Sequence, residues 1–195
     1  MTQEQILSIF KETGALLEGH FQLTSGLHSQ QYFQCAKVLQ YPRHTTKLCA
    51  RIADHFSRSA VDVVITPAIG GIVVGQEVGR VLNVRTVFAE RKDGTLQLRR
   101  GFELSRGERV LVCEDVITTG GSVFEVIDIV GSHSAVLAGV GFIVDRSGGS
   151  VRFPVEKESD QFALLQMAVQ TFAPATCPMC NDGLQIMKPG SRGNK

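Results

Sequence analysis

Neither sign of charge dominates this sequence: 20 Lys and Arg stand against 19 Asp and Glu, a formal net charge of +1. That balance leaves no global field to draw in nucleic acid or an anionic membrane, so any anion site has to be local. Long apolar runs are missing too. The longest, Ala135 to Val144, falls well short of the roughly 18 residues that span a bilayer. The N-terminus lacks the basic-then-apolar layout of a secretory signal, and a cytoplasmic location is expected. The five cysteines make an odd count that argues against a secreted disulfide framework. Cys35, Cys49 and Cys113 sit in apolar or mixed contexts, as small buried side chains do. There is no internal repeat, no low-complexity tract, no Gly-Lys-Ser/Thr phosphate loop and no G-x-G-x-x-G fingerprint. P-loop NTPases and dinucleotide-binding enzymes are thereby set aside.

What is present, over 195 residues, fits a single domain able to bury a real core. Thr2 and Gln5 form a capping box before the apolar positions Ile6, Leu7, Ile9 and Phe10, with Gly14 as the stop. Residues 16–38 turn irregular and β-like, and Thr24-Ser25-Gly26 reads as the turn of a small hairpin. Pro42 opens a helix whose apolar face is Leu48, Ile52, Ala53 and Phe56. Strands are then expected at Val61–Ile65, Thr86–Ala89, Arg109–Cys113 and Val136–Val144, with helices at Gly70–Leu82 and Val123–Val130. Such alternation argues for a parallel sheet covered on both faces. Phe162 to Phe172 alternates weakly and reads as an edge strand returning to the hairpin, and residues 177–195 read as a loose tail.

Val110-Leu111-Val112-Cys113-Glu114-Asp115-Val116-Ile117-Thr118-Thr119-Gly120-Gly121-Ser122 is the most informative string. It starts as a strand, sets two acids at the strand's C-terminal end and runs through a hydroxyl-and-glycine turn into a helix. Free amides and the positive dipole end at that helix start, with the hydroxyls of Thr118, Thr119 and Ser122, make a phosphate site without Lys. Paired acids beside a phosphate make electrostatic sense only if their partner is neutral or cationic, such as ribose hydroxyls or hydrated Mg²⁺. Taken alone, an Asp or Glu at such a junction is more often a helix cap. Pro67-Ala68-Ile69-Gly70-Gly71, just past another strand end, offers the main chain of Ile69 and Gly70 to a diphosphate.

The whole string resembles the PRPP-binding signature of the type I phosphoribosyltransferases. From about Gly19 to Pro189 the chain resembles their orotate phosphoribosyltransferase branch, through Leu23-Thr24-Ser25-Gly26-Leu27-His28-Ser29, Pro67 to Ile72, Phe88-Ala89-Glu90-Arg91-Lys92, Leu98-Arg99-Arg100-Gly101-Phe102 and Asp145-Arg146. The resemblance implies a parallel sheet flanked by helices (core 41–145) and a small hood from residues 1–40 and 146–176. It also implies transfer of the 5-phosphoribosyl group from PRPP to orotate, giving orotidine 5′-monophosphate on the way to UMP. By position, Glu114, Asp115, Val116, Ile117, Thr118, Thr119, Gly120, Gly121 and Ser122 would hold PRPP with Ile69, Gly70, Arg91 and Lys92. Thr118 and Arg146 would meet orotate, and Glu114, Asp115 and Lys92 would carry the chemistry. Mg²⁺ would act mainly through PRPP and water near the two acids. Residues 90–101 would be a lid with Arg99 and Arg100 as further clamps, and a homodimer is implied, since relatives close part of this lid over the neighbouring subunit's site. Thr24 and Gly70 depart from relatives that carry Lys there, and the lid lacks a family His.

Two other readings share the donor loop: a purine phosphoribosyltransferase, and a PRPP-sensing regulator that binds nucleic acid, against which the near-zero charge stands. His28 is a candidate acceptor contact from its place in the hairpin turn, while His20, His44, His55 and His133 have no assignment. Cys177-Pro178-Met179-Cys180 is half of a zinc site, completed across a dimer, or a redox pair, or neither.

Overall fold

The computed structural model describes residues 1–23 and 25–189. Thr24 and residues 190–195 of the expected tail lie outside the described residues. Helix α1 (Gln3–Glu12) begins on the capping box: the Thr2 amide donates to Gln5 Oε1 at 2.9 Å and the Gln5 amide to Thr2 Oγ1 at 3.3 Å. Strands β1 (Leu16–Gln22) and β2 (His28–Phe33) form the hairpin, followed by α2 (Ala36–Leu39) and α3 (Pro42–Phe56). The core then runs β3 (Val63–Pro67), α4 (Gly70–Leu82), β4 (Arg85–Lys92), β5 (Thr95–Leu98), β6 (Arg109–Ile117), α5 (Gly121–Ser132) and β7 (Val136–Asp145). The chain ends with β8 (Gln161–Gln166), β9 (Thr171–Phe172) and α6 (Pro178–Asn181).

Six strands make the core sheet in the order β5-β4-β3-β6-β7-β8. All neighbours are parallel except β4 and β5, so the expected α/β layering forms. Helices α3 and α4 cover one face and α5 the other, which is why β3 and β6 are buried almost throughout. Phe10, Leu48, Ile52 and Phe56 are fully buried on the α3 side, each burial worth about 1.5–3 kcal/mol. Gly75 and Gly79 let α4 lie directly on Thr66 of β3 and Thr86 of β4, where a Cβ would collide.

A separate sheet, β1-β2-β9, forms the hood. Here the structure departs from the expectation of one strand returning to the hairpin. Residues 161–166 extend the core sheet instead, pairing Val140 with Gln161 and Val144 with Leu165, because Leu164 and Leu165 are both buried in the α3-side core. Only Thr171 and Phe172 reach the hood, opposite Ser29 and His28. Within the expected tail, Cys177 and Met179 are buried, and Met187 bridges to Phe21.

Candidate active site

The site grows from the C-terminal end of β6, where ligands of open parallel sheets bind. Glu114 is buried and Asp115 half-buried. Glu114 Oε1 accepts the Asp115 amide hydrogen at 3.1 Å, and Asp115 Oδ1 accepts that of Val116 at 2.8 Å. Among the described residues neither acid is ion-paired. Burial, followed by the charge of Asp115, holds the Glu114 carboxyl well above the usual range, and burial also raises that of Asp115. The start of α4 backs onto these acids: a Cβ on Gly70 would meet the Asp115 carboxylate and one on Gly71 that of Glu114. The Ala68–Ile69 peptide bond before it is cis, and Ile69 is exposed.

Beyond β6 the chain turns at Gly120, whose φ of +76° favours glycine and whose Cα faces the Phe153 ring too closely for a Cβ. Helix α5 therefore starts without a side-chain cap, leaving amide donors open toward a cavity of about 430 Å³. Val116 to Ser122 line it together with Glu114 and Glu125. A second cavity, also of about 430 Å³, lies under the hood between Leu23, Leu27, Tyr32 and Arg146. Val116, Thr118 and Thr119 line both.

Arg146 owes its place to Asp145. The Asp145 carboxylate is fully buried and accepts the amides of Ser147 at 2.8 Å and Gly149 at 2.9 Å, fixing the turn after β7. The Arg146 amide meanwhile donates to the Ile117 carbonyl at 3.0 Å. Its side-chain Nε is buried and has no partner among the described residues, and burial lowers the guanidinium's proton affinity. A cation held in this way offers unused donors to an anionic ligand.

Residues 90–101 form an exposed two-residue hairpin, with Asp93 (φ +51°) and Gly94 (φ +88°) between Lys92 and Thr95. The expected basic residues are differently engaged. Arg91 Nη2 lies 2.8 Å from Glu125 Oε1 on α5, and Arg100 forks onto Glu90 with two contacts of 2.8 Å. Arg99 stands 4.0 Å from Glu90. Lys92 is exposed and in no ion pair among the described residues. None of these basic side chains lines the cavity over the β6–α5 turn. Glu125, which sequence reasoning missed, joins the hairpin to that cavity by accepting from both Arg91 and the Leu96 amide; nothing in its helical context marked it. His28 does not line the hood cavity but points to its other side, 2.9 Å from His20.

Comparison with known proteins agrees with this fold. The model of the phosphoribosyl transferase domain family matches residues 37–154. The chain is 58% identical to the orotate phosphoribosyltransferase of Chlorobium phaeobacteroides (strain DSM 266) over 195 residues, covering 100% of this chain and 99% of that one. The chain belongs to the orotate phosphoribosyltransferase family. The orotate phosphoribosyltransferase of Aeropyrum pernix shares the fold with a TM-score of 0.64 at 24% identity, covering 72% of this chain and 81% of that one. The UMP synthase of Leishmania donovani does so with a TM-score of 0.69 at 19% identity. That match covers 83% of this chain, which spans about a third (35%) of the longer protein.

Proposed function

We propose that the cavity over the β6–α5 loop holds PRPP and the hood cavity holds orotate. The chain transfers the 5-phosphoribosyl group from PRPP to orotate, giving orotidine 5′-monophosphate and pyrophosphate on the way to UMP. One observation carries this assignment: Val116, Thr118 and Thr119 form a wall common to both cavities, so a sugar phosphate on one side and a planar anion on the other meet there. Arg146, whose buried Nε has no partner among the described residues, favours a carboxylate-bearing acceptor over a neutral purine.

In this reading the amides of Gly121 and Ser122 and the hydroxyls of Thr118, Thr119 and Ser122 clasp the 5-phosphate. Glu114 and Asp115 hold the ribose hydroxyls and support positive charge developing at the anomeric carbon. Mg²⁺ fits here, because the two acids offer oxygens that are in no ion pair among the described residues. When bound it supplies charge neutralisation on the departing pyrophosphate. The main chain at Ile69 and Gly70 and the lid cations Arg91 and Lys92 complete the diphosphate contacts, and the closed hairpin excludes water. Orotate carries its charge on the carboxylate and a proton on ring N1, so as the N1–C1′ bond forms and the C1′–O bond to pyrophosphate breaks that proton passes to the departing pyrophosphate or to solvent; no covalent nucleophile is required. The working form is a cytoplasmic homodimer whose lids act across the interface.

Orotate consumption followed by its absorbance, with PRPP and Mg²⁺, tests the assignment. Loss of orotate that stops on adding a chelator is expected. Consumption of a purine in its place, or none of any base, would overturn it.

A further inference from the structure

Four metal-ligating side chains outside this site converge on the far side of the hood. His20 Nε2 and His28 Nδ1 are 2.9 Å apart, and Cys180 Sγ lies 3.3 Å from His28 Nδ1 and 3.7 Å from His20 Nε2. Cys177 Sγ stands 3.7 Å from His20 Nε2, and all four ligand atoms fall within 4.8 Å of one another. A tetrahedron with bonds of about 2.0–2.3 Å to nitrogen and sulfur has edges of roughly 3.3–3.8 Å. Small side-chain adjustments therefore suffice. His20, His28 and Cys177 are buried, and both thiols are free.

The surroundings prepare these groups as ligands. His20 Nδ1 is 2.9 Å from the Leu184 carbonyl, which can only accept, so Nδ1 carries the proton and Nε2 presents its lone pair inward. The irregularity in β1 between Glu18 and Phe21 sets His20 out of the regular register and beside His28 at the start of β2. Cys177 and Cys180 come from the turn entering α6, whose Cys180 amide donates to the Cys177 carbonyl at 3.1 Å. The main chain around Met187 then returns to β1: its amide donates to the His20 carbonyl and its carbonyl accepts from Gln22, both at 2.8 Å.

We propose that His20, His28, Cys177 and Cys180 bind one Zn²⁺ within a single chain. Two imidazoles and two thiolates at tetrahedral spacing suit zinc, and a full set of four protein ligands leaves no position for substrate, so the site is structural. The ion staples residues 177–187 to the β1–β2 hairpin. His28 also pairs with Phe172 of β9, and the neighbouring Thr171 lines the hood cavity with Leu23 and Leu27. The staple thus fixes the outer wall of that cavity. The metal site stands independently of the acceptor assigned above, because its readouts do not involve turnover.

The test uses the full chain, purified without a metal-affinity step and dialysed against Zn²⁺ followed by buffer. Elemental analysis should find about one zinc per chain. Replacement by Co²⁺ should give tetrahedral d–d bands and a thiolate charge-transfer band. Cys177→Ser and His28→Ala should lose the metal, and Cys49→Ala, whose thiol lies in the core, should keep it. A chelator in Mg²⁺-free buffer should lower the melting temperature of the parent by roughly 5 °C or more and leave that of His28→Ala unmoved. Absence of both zinc and the cobalt spectrum in the parent protein would overturn the proposal, and this reading does not depend on whether the variants fold. Retention of metal by Cys177→Ser and His28→Ala together would overturn it equally.

Discussion

Glu114 Oε1 accepts the amide hydrogen of Asp115 at 3.1 Å while both carboxyl groups are held above their ordinary proton affinity. A carboxyl whose affinity is raised by folding stabilises the protonated folded state. Its contribution is complete below the ordinary carboxylate range and is lost as pH rises through the raised value. The free protein therefore carries a penalty at neutral pH, whether Glu114 is kept ionised or takes up a proton on folding. Glu114→Gln, which keeps the acceptor oxygen, should stabilise the ligand-free protein by about 1–2 kcal/mol at neutral pH and by much less near pH 4. Thermal melts across that range check this. An equal gain at both values would mean burial is not the cause.

Catalysis should move the other way. Asp115→Asn should slow orotate consumption by roughly two to three orders of magnitude if its charge supports the developing cation. Full steady-state kinetics on a folded variant is the measurement, and near-parental turnover would remove Asp115 from its role.

Gly120 combines a φ of +76° with the Phe153 ring at its Cα. Gly120→Ala should cost about 1–3 kcal/mol of stability and weaken PRPP binding. At Gly121 the nearest atom to an added Cβ is Thr119 Oγ1 at 3.8 Å, so Gly121→Ala should fold normally. Urea unfolding and PRPP titration of the pair separate the two cases.

Arg146→Ala should raise the KM for orotate by roughly ten- to a hundredfold, the worth of a charged hydrogen bond of about 1.5–3 kcal/mol, with PRPP affinity little changed. A matched loss for both substrates in initial-rate kinetics would show the arginine to be structural.

Lys92 and Arg91 should differ. Arg91 is tied to Glu125 and Lys92 is in no ion pair among the described residues. Lys92→Ala should reduce turnover by roughly two orders of magnitude with stability within about 0.5 kcal/mol of the parent. Arg91→Ala should also loosen the hairpin, visible as faster amide exchange at Leu96, whose N–H is held by the same Glu125.

The β6–α5 turn was legible because its signals lie within one contiguous stretch, from the apolar run Val110–Val112 to Ser122. Strand, acids, turn and helix start each leave a local signal there. The Asp93-Gly94 turn announced its hairpin for the same reason. Longer-range features were less visible. Leu164 and Leu165 are adjacent and both buried, so period-two reasoning could not assign their strand to the core sheet. Glu125 looks like any polar helix residue until the hairpin folds beside it. His20 and His28 are separated from Cys177 and Cys180 by the whole core of the chain, and no spacing rule connects them.

Val116, Thr118 and Thr119 being common to two cavities has a consequence for inhibitor design. On the assignment proposed above, a compound joining an anionic ring to a pentose phosphate across that partition would surrender its freedom of tumbling only once for two pockets, and so outcompete either half supplied separately.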